Sequence, residues 1–258
     1  MAKRIALHDP DLGPLTRDRL TRDYVVYQRA EGHRFSVDDV ATAWIASRAH
    51  AAPRRILDLG CGLGSVLLHL AWHFPNASLV GVEAQDVSFE LARRNVRENL
   101  LEARVELVHG DLNESAVRES VGNGFDLVTG TPPYFPAETA TDADDAQRAF
   151  ARIEYRGGVD AYVRAASMAV ASNGRLVLCG SPGAESRVRD AAEQQSMHVI
   201  ARTTVVGREG RPALFAIWTL ARDHIPFVAD EITIRDRDGQ RTDAARDLTR
   251  FSGLEPRS

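Results

Sequence analysis

Short apolar runs recur along the chain at 56–59, 78–83, 105–109, 125–129 and 175–179, and polar or amphipathic stretches separate them. Runs of this length, bounded by glycine, proline or acids, read as buried strands. The intervening stretches carry apolar residues at helical spacing. Helix 87–100 turns Phe89, Leu91, Ala92 and Val96 inward, and helix 160–171 does the same with Tyr162, Val163, Ala166 and Val170 before Asn173-Gly174 ends it. A further helix is expected at 184–194, then strands at 198–206 and 214–220 joined by a Gly207-Arg-Glu-Gly-Arg211 hairpin loop. The tail reads as a short strand, a turn and a helix over 242–251. Strands alternating with helices predict an α/β, doubly wound, Rossmann-like sheet closed by a terminal antiparallel hairpin.

The front of the chain reads differently. Residues up to about Leu20 are polar and carry Pro10 and Pro14, so an extended or loop-like course is expected, followed by a strand at 23–28. Ser36 then caps a helix, with Asp39 three residues on as the acidic limb of a capping box. Two parts follow: an N-terminal extension over 1–52, holding a strand and a capping helix, and a main domain over 53–258.

With 258 residues, 44% hydrophobic and 26% charged, the chain can bury one sizeable α/β core. It holds no apolar run of about 18 residues, and its Met-Ala-Lys-Arg start lacks a secretory apolar region, so a cytoplasmic protein without a membrane span is expected. Cys61 and Cys179 are spaced for neither a zinc site nor a disulfide framework, and no metal is expected. The net charge of −4 does not advertise a nucleic-acid binder, although a face can be locally basic. Arg17, Arg19, Arg22, Arg29 and Arg34 are interleaved with Asp18, Asp23 and Glu31, which leaves open whether they form a solvated surface or touch phosphate.

The chemistry centres on Ile56-Leu-Asp-Leu-Gly-Cys-Gly-Leu-Gly64. Alternate glycines at Gly60, Gly62 and Gly64 let a strand turn sharply into a helix and let a ligand lie on the backbone. The dinucleotide fingerprint needs its third glycine at position 65, which is Ser65, and Asp58 would repel a pyrophosphate while attracting an ammonium. A zwitterionic ligand with a nucleoside fits better than a nicotinamide cofactor. Glu83 ends the next strand at the separation usual for a carboxylate that takes two ribose hydroxyls.

This glycine loop resembles the first motif of the class I S-adenosylmethionine (SAM) methyltransferases, and the resemblance implies a seven-stranded sheet of that family. It assigns Asp58, Gly60, Cys61, Gly62 and Gly64 to the loop at the methionine end of SAM, Glu83 to the ribose and Asp111 to the adenine, with Ala84 and Leu112 also in the cofactor site. Gly-His-Arg-Phe-Ser-Val-Asp38 resembles a segment of the bacterial methyltransferases that make N6-methyladenine in tRNA. By that likeness Phe35 and Asp38 help wall the cofactor pocket. The chain's carboxyl end resembles the same group.

Thr131-Pro132-Pro133-Tyr134 resembles the [Asn/Asp]-Pro-Pro-[Tyr/Phe] motif of methyltransferases acting on amino or amide nitrogens, with Thr131 as a departure. In that family the first side chain and a proline carbonyl accept the hydrogens of the target nitrogen, and the aromatic stacks on the substrate. Methylation of adenine N6 in tRNA or other structured RNA is therefore expected. Gly157-Gly-Val-Asp160 also resembles a turn of glutamine methyltransferases, which keeps a protein or small-molecule amide or amine as an alternative substrate. Thr131 keeps open a third reading, a SAM-binding RNA- or partner-binding module with a degenerate site. Residues 140–145 are expected to form a mobile loop over the substrate side.

Overall fold

The computed structural model describes residues 5–134, 147 and 153–254; the loop expected at 140–145 lies outside them. Its main sheet takes β4 (Arg55–Leu59), β5 (Ser78–Glu83), β6 (Val105–His109), β7 (Phe125–Gly130), β8 (Val170–Gly180), β9 (His198–Val206), β10 (Ala213–Ala221) and β11 (Val228–Thr233). Their spatial order is β11-β9-β10-β8-β7-β4-β5-β6. Neighbouring strands β4 to β8 run parallel, and β10 is antiparallel to β8 and β9. The sheet has eight strands rather than seven, because the chain's last strand, β11, adds in parallel to the outer edge of β9.

Alternation along each strand divides the core into two layers. Ile56, Leu127, Val177 and Ile217 point to one face and Leu57, Val128, Leu178 and Trp218 to the other, all of them buried. The first face is covered by α1 (Val37–Ala49), α2 (Ser65–His73), α3 (Asp86–Glu98) and α7 (Asp243–Phe251). The second is covered by α4 (Ser115–Val121), α5 (Val159–Ala169) and α6 (Glu185–Gln194). Both faces of a parallel sheet must be covered in this way, which is why the middles of β4, β7 and β8 are continuously buried rather than alternating.

Two expectations are corrected. The polar front is not loop: β1 (Ile5–Asp9) and β2 (Gly13–Arg19) form an antiparallel three-stranded sheet with β3 (Val25–Arg29). Its polar sequence suits a sheet with one solvated face, where Leu15 and Val26 supply the buried side. Asn173-Gly174 does not stop a helix either. Helix α5 ends at Ala169, and the pair lies inside β8, beside a register irregularity opposite Phe125 and Leu127. Among the described residues no helix is long and apolar enough to cross a membrane.

Two asparagines dock the front sheet. Asn95 is wholly buried; its Oδ1 accepts from the Tyr27 amide at 2.7 Å, and its Nδ2 donates to Tyr27 O at 3.0 Å and Leu63 O at 2.9 Å. One turn on, Asn99 exchanges the same pair of bonds with Val25, at 2.9 and 2.8 Å. Helix α3 thus supplies amide groups to the edge of β3 that no strand covers, and Asn95 ties that edge to the glycine loop. Asn95→Ala strands three buried backbone groups and is expected to cost on the order of 2–4 kcal/mol in urea unfolding, against about 1 kcal/mol for Asn99→Ala.

Candidate active site

Strand register brings the chemistry to one edge. Asp58 is aligned with Gly81 on β5 and with Thr129 on β7, and Glu83 with His109 on β6. The carboxyl ends of β4 to β7 therefore finish side by side, and strand order reverses between β4 and β7, where open α/β sheets form their binding crevice. A cavity of about 490 Å³ lies there.

Every residue assigned from the sequence to the cofactor or the target amine lines this cavity except Gly64. Phe35 and Asp38 come from the start of α1, Asp58, Gly60, Cys61 and Gly62 from the end of β4, and Glu83 and Ala84 from the end of β5. Asp111 and Leu112 follow β6, and Thr131, Pro132, Pro133 and Tyr134 follow β7. Gly64 is instead the left-handed residue that caps α2, with φ 89°. The loop requires glycine for two different reasons. A Cβ on Gly60 would run into the Tyr162 hydroxyl, whereas Gly62 combines φ 57° with open space on its side-chain face, which leaves room for a ligand against the backbone.

Three acids have distinct settings. Glu83, 6% exposed, accepts from the Gly62 amide at 2.8 Å and the Gln85 amide at 2.7 Å, so it locks the glycine loop to the end of β5. Burial raises its pKa against those bonds. Asp58 is 2% exposed, and its Oδ1 accepts from Thr129 Oγ1 at 2.7 Å, but its Oδ2 is buried with no hydrogen bond of normal geometry. Burial, with Glu83 adding to it, pushes the Asp58 carboxyl up to about 7. Asp111 accepts from the amide and side chain of Asn113 at 2.8 and 2.9 Å, and Arg156 Nε lies 3.6 Å from its other oxygen.

At the α1 wall of the cavity, the Tyr134 hydroxyl donates to Asp38 Oδ2 at 2.9 Å, and Cys179 Sγ lies 3.0 Å from the Tyr134 hydroxyl oxygen. The bond fixes the end of the Thr-Pro-Pro-Tyr segment to the start of α1. Asp38 in turn accepts from the Ser36 hydroxyl and, at 3.2 Å, from the Asp39 amide. The capping box is present, since the Ser36 amide donates to Asp39 Oδ2 at 2.8 Å. Among the described residues no three His, Cys, Asp or Glu side chains converge as metal ligands.

Three cavity residues were not legible as such. Tyr162 reads as a core aromatic of α5, yet it lines the cavity beside Gly60, and burial pushes its phenol well above the ordinary range. Arg156 sits beside Asp111, and Asp39 lines the cavity although its spacing marks only a helix cap. The front arginines are largely used locally: Arg34 pairs with Asp18 at 2.9 Å and Arg22 with Asp23 at 3.2 Å.

The cavity is thus rich in carboxylates, with an open glycine backbone and one orphaned carboxylate oxygen, the acceptor set wanted by a cationic, hydroxyl-bearing ligand. Residues 33–155 match the family model of the methyltransferase small domain. A tRNA1(Val) (adenine(37)-N6)-methyltransferase of Porphyromonas gingivalis is 33% identical over 138 residues, 53% of this chain and 53% of that one, so this match spans about half the relative's length. A protein of the same name from Aeromonas hydrophila is 29% identical over 76% of this chain and 80% of its own. A ribosomal protein uL3 glutamine methyltransferase of Bradyrhizobium diazoefficiens is 38% identical over 42% of this chain and 33% of its own. Among solved structures, a predicted O-methyltransferase from Agrobacterium tumefaciens superposes with a TM-score of 0.65 at 21% identity, covering 84% of this chain and 97% of that one, which establishes a shared fold.

Asp58 makes a testable cost. Its pKa stands near 3.8 when unfolded and about 7 when folded, so the native state holds the extra proton and its stability declines as pH rises through that window. In the ligand-free protein, Asp58→Asn is expected to raise the unfolding free energy by on the order of 2–4 kcal/mol above pH 7, and the gain should vanish below about pH 4. Urea titrations across that range measure it.

Proposed function

We propose that this chain, which carries a methyltransferase small domain over residues 33–155 on a class I methyltransferase sheet, transfers a methyl group from SAM to the N6 amine of an adenine in tRNA. The observation that carries this reading is the buried, unpartnered Asp58 Oδ2 at the wall of an acid-rich cavity that opens beside the Thr-Pro-Pro-Tyr segment. An ammonium group satisfies that oxygen where a pyrophosphate would be repelled. Asp58, with Gly60, Cys61 and Gly62, holds the methionine end; Glu83 and Ala84 take the ribose; Asp111 and Leu112 take the adenine. Gly64 contributes by turning the chain into α2. Phe35 and Asp38 close the wall at α1.

When bound, SAM supplies an electrophilic methyl on a sulfonium. The protein's task is then alignment. An exocyclic amine shares its lone pair with the ring and is a weak nucleophile, so Thr131 Oγ1 and the Pro132 carbonyl accept its two hydrogens and aim the lone pair at the methyl. Pro132 and Pro133 fix φ and keep this segment extended. Tyr134 presents its ring to the base, which must leave its stack to enter, and Asp38 holds the phenol. The amine releases its proton after attack, so no strong base is needed.

The tRNA target is supported by the relatives named for adenine-N6 methylation of tRNA, two of which were described above. A tRNA substrate supports a cytoplasmic reaction. The uL3 glutamine methyltransferase favours a second reading, the same chemistry on a protein amide.

Labelled SAM offered to tRNA and to total protein tests both. The expected result is N6-methyladenosine in tRNA digests, abolished by Glu83→Ala. Thr131→Ala should lower kcat on the order of 10–100-fold with little change in SAM affinity, and Tyr134→Ala should cost more than Tyr134→Phe. Label in protein alone would favour the amide reading, and SAM binding without any transfer would favour a non-catalytic module.

A further inference from the structure

The cavity holds more negative charge than its own cations offset. Of the five acids lining it, Asp111 is faced by Arg156 at 3.6 Å, and the other lining arginine, Arg34, is paired at 2.9 Å with Asp18, which does not line the cavity. Asp38, Asp39, Asp58 and Glu83 make no salt bridge among the described residues. Most of their capacity is nonetheless used. Asp38 holds the Tyr134 and Ser36 hydroxyls, and Glu83 holds two backbone amides. What remains unspent lies on Asp58, whose Oδ2 has no hydrogen bond of normal geometry; Asp39 accepts the Ser36 amide and a hydrogen bond from the Ser65 side chain, and has no cation beside it among the described residues.

These two carboxylates approach the cavity from different elements, Asp58 at the end of β4 and Asp39 in the first turn of α1. Asp39 is half-buried and lines the cavity. Burial, together with the charges of Asp38 and Asp58, pushes its carboxyl up to about 7. Two such groups facing one enclosed space are a standing electrostatic cost that a ligand with surplus positive charge relieves.

From this arrangement, and resting on SAM as the ligand, we propose that Asp39 is a specificity-determining residue: with Asp58 it makes the cavity prefer the cationic cofactor over its neutral thioether product, S-adenosylhomocysteine. Both compounds carry an ammonium and a carboxylate; only SAM carries the sulfonium, giving it a net charge of +1 against zero. Asp58 serves the ammonium, which the two share. Asp39 adds a negative charge whose benefit falls on the difference between them. At an effective dielectric of about 20 and a separation of several ångströms, one such charge is worth roughly tenfold in relative affinity. The consequence is easier product release and weak product inhibition.

Calorimetric titration of SAM and of S-adenosylhomocysteine into wild type, Asp39→Asn, Asp39→Glu and Asp58→Asn tests this. Asparagine keeps an acceptor for the Ser36 amide, so the helix cap survives the substitution. Asp39→Asn should weaken SAM by roughly tenfold and leave the product within about twofold, Asp39→Glu should keep the wild-type ratio, and Asp58→Asn should weaken both compounds. Equal weakening of the two by Asp39→Asn, or no change in either, overturns the proposal while leaving the cofactor reading intact. A wild type that binds neither compound overturns the cofactor reading and this inference together.

Discussion

Asp58 is a carboxylate in the wrong solvent. It lies at the end of a buried parallel strand, close enough to Glu83 for the two charges to repel, and one of its oxygens has nothing to accept. A polar group in that position costs free energy that the ligand-free fold does not recover. Much of the surrounding structure is arranged around it: Thr129 on β7 holds the first oxygen, Glu83 pins the glycine loop alongside, and α1 closes the far side with Asp38 and Asp39. The ligand-free site is a place where folding stability is given up.

The scaffold makes that arrangement rigid. Parallel register among β4, β5 and β7 sets the heights of Asp58, Glu83 and Thr131 relative to one another, since a slip of one residue would turn each strand's side chains over. The front sheet is tied to the same loop by Asn95, which bonds β3 and Leu63 at once. Tyr134 and Asp38 then join the segment after β7 to α1. Thus the cavity's walls come from elements far apart in sequence, held by few polar bonds of high consequence.

Much of this was legible because the signals were local. The run from Ile56 to Gly64 declares a strand and a glycine turn, and the acids at strand ends mark the edge where the cavity lies. What stayed hidden depended on partners elsewhere in the chain. Asn95 is a polar residue on an amphipathic helix and reads as surface until the uncovered edge of β3 is placed beside it. Tyr162 reads as core until Gly60 is seen under its hydroxyl. Asp39 reads as a cap, which it is, and also as nothing more, which is wrong. The strands before Leu20 were missed because a sheet with one solvated face and two prolines has too weak an apolar alternation; the short strand of the tail was expected, but not its pairing with β9 as an eighth strand, because most of β11 is exposed and carries no buried pattern.

The central claim is that a cationic cofactor settles an acid cavity whose carboxylates stand near neutral pH. Proton release on SAM binding tests it most directly, read from the binding enthalpy in buffers of different ionisation heat at pH 6.5. Carboxyls held up to about 7 in the free protein must ionise as the cation arrives, so the account predicts net release, largely lost in Asp58→Asn. Binding with no proton exchange, or with uptake, would contradict it.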